Sequence, residues 1–221
     1  MGTTTDDDVL VLRSARISLA AQVVLGLVSL VGFFAISYDD DTVLLGLLIM
    51  DTAVQVVEFA FYAYMVRVGV LDTWYRYLDW FVTTPVMLLS TIILMEHFND
   101  AATTFASFFA DYWRDTVYIL VNNAIMLAFG LASERGWIER RLALSLGFIP
   151  FASSFAIALA EFARSPLSVA LGVFVCVVWT LYGVVAFWER RRKNVAYNAL
   201  DVVSKNFYGV LVSVLVLAQA R

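Results

Sequence analysis

The chain has 221 residues, of which 62% are hydrophobic and 15% charged, and its mean hydropathy is +0.81. That apolar excess excludes an ordinary water-soluble globule and a disordered chain, and describes a polytopic membrane protein whose first partner is the lipid bilayer. The formal net charge of −4 says little once most of the surface faces lipid, and the lone Cys176 excludes an intramolecular disulfide.

The opening residues, Met1 to Asp8, lack the cationic region of a cleaved signal peptide. Asp6 stands where a myristoylation signal needs Ser or Thr. Apolar stretches long enough to cross a bilayer then follow at approximately 14–36, 43–66, 76–95, 116–132, 139–162, 167–188 and 195–219. The connections are short and charged: 37–42 with Asp39, Asp40 and Asp41, then 67–75, 133–138, 163–166 and 189–194. Short connections make neighbouring helices antiparallel, so the expected fold is an all-α membrane protein, a seven-helix bundle forming a single domain over 1–221. The fourth stretch is barely long enough. Before it, Phe105, Phe108, Phe109, Tyr112 and Trp113 share a helical face, which predicts a separate short helix lying in the membrane interface; the alternative is an early start of the fourth span. Arg13, Arg16, Arg67, Arg76, Arg135, Arg140, Arg141 and the run Arg190–Lys193 fall at the end of the bundle shared with the N-terminus. Only Arg114, Arg164 and Arg221 flank the other end, so the positive-inside rule places the N-terminus in the cytosol.

Polar residues recur inside the spans at helical spacing. Ser18 and Gln22 align in span one, with Ser29 one step further. Span two carries Asp51, Gln55, Glu58 and Tyr62; span three Arg76, Asp79, Thr83 and then Ser90; span seven Asn194, Asn198, Asp201, Lys205 and Tyr208. Single hydroxyls such as Ser18 and Ser29 ordinarily serve as interhelical hydrogen bonds worth ~0.6 kcal/mol. Intramembrane carboxylates such as Asp51 and Glu58 are costly enough to be functional by default, so the stripes are expected to face one another and line a polar path.

Lys205 sits near the middle of the last apolar stretch. At ~1.5 Å per residue its short stem cannot reach water from there, and inserting it costs about 2.5–3.5 kcal/mol. A buried lysine is the residue type that forms a Schiff base with an aldehyde. The protonated form of that linkage needs negative charge nearby, which Asp79 and Asp201 can both supply. Arg76, one turn from Asp79, is placed to balance the second carboxylate, and Thr83 to hydrogen-bond Asp79 and fix its rotamer. Aromatic residues on spans three and six are available to enclose an elongated apolar chromophore.

These residues resemble the microbial (type 1) rhodopsins. The run Arg76-Tyr77-Leu78-Asp79-Trp80-Phe81-Val82-Thr83-Thr84-Pro85 looks like the third helix of that family almost position for position. Leu200-Asp201-Val202-Val203-Ser204-Lys205 matches its Asp-x-x-x-Lys, and Trp179-x-x-Tyr182 is similar to its pocket aromatics. Asn123, Met126 and Gly130 match the pocket spacing of span four more weakly. The resemblance implies all-trans retinal bound as a Schiff base to Lys205, with Asp79 as primary counterion and proton acceptor, Asp201 as second counterion and Arg76 gating charge below them. It implies that Trp80 and Trp179 sandwich the polyene and that Thr84, Met87, Met126, Gly130, Tyr182 and Ser204 also line it. It also implies an N-terminus outside, against the distribution of basic residues.

The sequence departs from the family's pumps at the position of their carboxylate proton donor, which here is Ser90. Gly183 replaces the usual proline of span six, Ala186 replaces a pocket tryptophan, and the last connection offers only Glu189 among four basic residues. Reprotonation is therefore expected to be slow, which suits a channel or a sensor better than a pump. Ser18, Gln22, Asp51, Gln55, Glu58 and Asn198 are the expected ion pathway. The short chain, Ser90 and the run Ser204-Lys205-Asn206 look most like the viral rhodopsins, whose first group is associated with light-gated cation conduction. The resemblance thus implies no enzyme, but a photoreceptor that admits cations. The alternatives are a slow outward proton pump and a sensor that moves no ions.

Overall fold

The computed structural model describes residues 6–34, 42–69 and 72–219; the leader residues before Asp6, the acidic connection with Asp39, Asp40 and Asp41, and Arg221 lie outside the described residues. The helices in chain order are α1 (Asp6–Ser29), extended by a 3-10 segment Leu30–Phe34, α2 (Thr42–Val68), α3 (Arg76–Asn99), α4 (Phe105–Glu134), α5 (Arg140–Phe162), α6 (Pro166–Val185), α7 (Arg190–Asp201) and α8 (Tyr208–Gln219). A π-helical segment, Val202–Phe207, joins α7 to α8, so the two form one crossing. Among the described residues seven helical segments are long and apolar enough to span a membrane, and none is a strand. This is a multi-pass integral membrane protein.

Several helix boundaries run past the apolar stretches. α1 and α7 begin before their apolar residues do, because the helical ladder of hydrogen bonds continues into the headgroup region while hydrophobicity stops at the hydrocarbon edge. Asp8 pairs there with Arg190 at 3.3 Å and ties the two starts together. Local chemistry sets the other starts. Thr104 and Ser107 form a reciprocal capping box before α4, Ser165 and Ser168 do the same before α6 with Pro166 in its first turn, and Glu139 accepts from the Leu142 backbone N–H before α5. Gly136, at φ +69°, makes the tight turn between α4 and α5 that a side chain would strain.

The expected interfacial helix is not a separate element. Residues 105–113 are the first turns of α4, which departs from helical dihedrals only at Tyr112 (φ −118°, ψ 16°). Phe108 is 1% exposed and stacks on Phe162 with ring centroids 5.7 Å apart, so the aromatic face docks onto protein rather than lipid, leaving Phe109 and Trp113 to face outward.

α3 lies in the middle of the bundle. Ile92, Ile93, Leu94 and Met95 are all buried although they point in all directions around the helix, which requires neighbours on every side. Leu44, Leu47 and Leu48 of α2, Phe108 of α4, Phe155 of α5 and Val175 of α6 complete that core. At the end of α3 a polar knot locks the helix ends. Arg164 donates to both oxygens of Glu96, Tyr112 donates to Glu96 at 3.3 Å, and Asn99 donates to Glu96 at 3.2 Å and to the Phe162 carbonyl at 2.8 Å. Asn99 in turn accepts from the Ser165 backbone at 2.9 Å.

Glu96 is therefore the shared acceptor of three elements. Replacing it with Ala strands those donors, a loss of about 1–3 kcal/mol. The detergent-solubilised variant is expected to unfold several degrees lower on a thermal ramp, whereas Glu189→Ala, at an exposed position, is expected to leave the midpoint unchanged.

Candidate functional site

Two buried ion pairs sit side by side where α3 meets the last crossing. Lys205 Nζ donates to Asp79 Oδ2 at 2.5 Å, and Arg76 Nη1 donates to Asp201 Oδ2 at 3.0 Å. All four residues are at most 3% exposed. In so low a dielectric an unmatched charge is prohibitively costly, so two cations opposite two anions is the arrangement that burial permits.

The two carboxylates differ in their surroundings. Asp201 accepts from Tyr62 at 2.7 Å, Tyr182 at 2.7 Å, Trp80 at 3.4 Å and Arg76, so both its oxygens are held by donors. Asp79 is held by Lys205 alone; its Oδ1 has no hydrogen-bond partner among the described residues. Thr83 does not fix the Asp79 carboxylate as expected. Its hydroxyl donates to the Asp79 backbone carbonyl at 3.0 Å, the ordinary back-bond of a helical threonine one turn later. Arg76 is anchored in turn: it donates to Asn194 Oδ1 at 3.1 Å, to the Tyr62 hydroxyl at 3.0 Å and to Asn198 Oδ1.

The π-helical segment explains how the last crossing presents so many polar groups at once. Ser204, Lys205 and Asn206 are consecutive, yet are 6%, 3% and 1% exposed. An α-helix advances about 100° per residue; the wider π turn brings successive side chains closer together around the axis and so favours all three facing inward.

Beside Lys205 lies a cavity with about 770 Å³ of empty space, counting the part open to the outside. Trp80, Thr84, Met87, Met126, Gly130, Trp179, Tyr182 and Ser204 line it together with Lys205. Thr84 is held by Asn123, which donates to its hydroxyl at 2.9 Å. A Cβ on Gly130 would meet the Tyr77 hydroxyl at 2.5 Å, and one on Gly183 would meet the Phe148 ring at 2.5 Å, so both glycines make room for wall aromatics. Ala186 also lines the space. A primary amine set in an apolar, aromatic wall is the donor set that an apolar aldehyde such as retinal requires, and the residues present fit it.

On the other side of the ion pairs the polar stripes meet between α1, α2, α3 and the last crossing. Gln22 donates to Glu58 at 3.1 Å, Ser29 to Gln55 at 3.2 Å, Ser90 to Asp51 at 3.1 Å, and Ser18 to the Asn198 carbonyl at 2.8 Å. All of them are buried. The side chains expected to form an ion pathway therefore lie in one seam, closed by their own hydrogen bonds. Asn198 has a second part, as an acceptor for Arg76 and Tyr62.

A sequence profile of bacteriorhodopsin-like proteins matches residues 13–219. The chain belongs to that family. No curated protein matches it by sequence. Among solved structures it is similar to the viral rhodopsin OLPVRII, at 27% identity and TM-score 0.80 over 93% of this chain and 97% of that one. It shares its fold with xanthorhodopsin, a light-driven ion pump with dual chromophore, at 16% identity and TM-score 0.75 over 98% and 96% of the two chains. The light-driven proton pump of Coccomyxa subellipsoidea is similar at 17% identity and TM-score 0.67, over 96% and 98%. Microbial rhodopsins bind retinal and act as photoreceptors, pumps or channels rather than enzymes.

Several residues of this rhodopsin's site escaped the sequence. Tyr77, Leu127, Leu144, Gly147, Phe148, Phe151 and Tyr197 line the cavity as well. Tyr197 stands one turn before Asp201, and that spacing marks it as an inward residue. Nothing in α5, whose apolar residues point all around the helix, distinguishes Gly147 or Phe148. Tyr62 and Asn194 were visible in polar stripes, but their role as clamps on Arg76 and Asp201 depends on a neighbouring helix.

Tyr62→Phe removes a donor from Asp201 and an acceptor from Arg76 inside the membrane, at a cost of about 1–3 kcal/mol. The variant is expected to lose thermal stability in detergent relative to Tyr64→Phe, which alters a half-exposed ring on the same helix.

Proposed function

We propose that this rhodopsin, acting as one seven-helix domain, binds all-trans retinal covalently at Lys205 and works as a light-gated cation channel. The observation that carries this reading is the buried polar seam, because it runs from the Lys205–Asp79 pair between α1, α2 and the last crossing and holds Glu58 and Asp51 along its length. When bound, retinal would supply light absorption and an isomerisation of a double bond in its polyene, beside its attachment at Lys205 Nζ.

The chain's own residues do the rest. Trp80, Trp179, Met87 and Met126 wall the cavity with apolar surface beside Nζ. Asp79, held by one donor, is the carboxylate ready to take a proton from Nζ, whereas four donors keep Asp201 anionic and paired with Arg76. Moving that proton to Asp79 removes the positive charge at Nζ and the negative charge at Asp79, both of which act on the nearby Glu58. The Gln22–Glu58 and Ser29–Gln55 bonds that close the seam then lose their electrostatic support, and the carboxamide, hydroxyl and carboxyl oxygens of the lining are free to coordinate cations. The N-terminus is taken as external, by likeness to the family.

The second reading is a slow outward proton pump. The closed seam and the Lys205–Asp79 and Arg76–Asp201 pairs favour it, since a pump must block passive flow while Nζ changes its proton.

Lys205→Ala is expected to abolish the visible absorption band that forms when all-trans retinal is added to the purified protein; an unchanged spectrum would refute the retinal site. In whole cells the light-evoked current is expected to reverse sign with voltage and to shift its reversal potential with external sodium, and Glu58→Gln to reduce it. A current of one direction at every voltage decides for the pump, and pigment without current for a sensor.

A further inference from the structure

Ser90 stands where related pumps carry a carboxylic acid, and a serine has no proton to give near neutral pH. Its hydroxyl, however, donates to Asp51 Oδ1 at 3.1 Å across the α2–α3 interface. Asp51 is 2% exposed, and its second oxygen has no hydrogen-bond partner among the described residues. No salt bridge reaches it among the described residues. A bare carboxylate so placed is heavily disfavoured, so the group rests as a neutral acid, with Oδ1 accepting from Ser90 and the acidic hydrogen on the unpartnered Oδ2.

A route leads from there toward Lys205. The Tyr208 hydroxyl lies 3.4 Å from Ser90 Oγ, and Tyr208 is one turn beyond Lys205 on the same crossing. A small, mostly apolar cleft beside them is lined by Thr91, Tyr208 and Ser204 along with Met87, Val175, Val178 and Trp179. Thr91 follows Ser90 in sequence and Ser204 precedes Lys205, so the polar edge of this cleft links the two levels.

We infer that Asp51 is the internal proton donor of this protein: α2 supplies the acid that α3 lacks, and Asp51 returns a proton to Lys205 Nζ after that atom has given its own to Asp79. In that step the O–H bond of the Asp51 carboxyl breaks and an N–H bond forms at Nζ. The Ser90 hydroxyl then stabilises the carboxylate left behind, until it takes a proton from water at the nearer membrane face. The inference rests on the proposed attachment of retinal at Lys205, but holds for channel and pump alike.

The test uses the full chain reconstituted with all-trans retinal, following the recovery of visible absorption after a flash. Asp51→Asn is expected to slow the return of the proton to Nζ by about 100-fold. Added azide, a small weak acid, is expected to restore the rate in that variant and to leave the unsubstituted protein unchanged. The exchange variant Asp51→Ser with Ser90→Asp is expected to recover most of the rate. Infrared difference spectra of the unsubstituted protein supply a readout independent of the variants: loss of a protonated carboxyl band during the recovery supports the assignment, and its absence overturns it. Asp51→Asn recovering as fast as the unsubstituted protein also overturns it while leaving the retinal site intact. A chain that forms no pigment overturns the retinal reading and this inference with it.

Discussion

Burial of four full charges in the centre of a membrane bundle is the constraint on which the rest of this structure depends. Lys205 and Arg76 are at most 3% exposed, and so are Asp79 and Asp201. Each must therefore find its opposite within hydrogen-bonding distance, and the pairs Lys205–Asp79 and Arg76–Asp201 do so by pinning α3 against the last crossing. Tyr62 from α2, Tyr182 from α6 and Asn194 from α7 complete the shell, so four helices converge on one electrostatic problem. The unequal number of donors on the two carboxylates turns a neutral cluster into a directional one. Asp201 is saturated and serves as a fixed charge, while Asp79 retains an oxygen without a partner.

Lys205 stands between two different environments. On one side is an aromatic cavity with few polar groups; on the other is a seam of carboxamides, hydroxyls and acids. The π-helical segment makes this possible by turning Ser204, Lys205 and Asn206 inward together. On the proposed function a change of charge at Nζ would be felt in the polar seam, because low dielectric carries the field of a buried charge further than water would.

The pairing of Asp51 with Ser90 alters what the serine signifies. Read along α3 alone, Ser90 removes a proton donor and argues for slow recovery. Across the α2–α3 interface the same serine is the partner of a buried acid, and the inferred donor role would move to the next helix. The case for conduction then rests on the seam itself and not on a missing donor.

The sequence by itself determined the seven crossings, the membrane solvent and the identity of the charged cluster, because a charge in an apolar stretch is so costly that its mere presence is informative. Lys205, Asp79, Asp201, Arg76 and the cavity residues of α3 and α6 were legible for that reason, or by likeness to a family. Only the tertiary structure decided the partners: that Arg76 belongs to Asp201, that Thr83 bonds a backbone carbonyl, that residues 105–113 begin α4, and that Tyr197, Gly147 and Phe148 wall the cavity. Helical periodicity states which residues share a face, but not toward which neighbour that face turns. The rotation of each helix is set by packing against the others, and in the last crossing the π turn breaks the very periodicity from which a sequence is read.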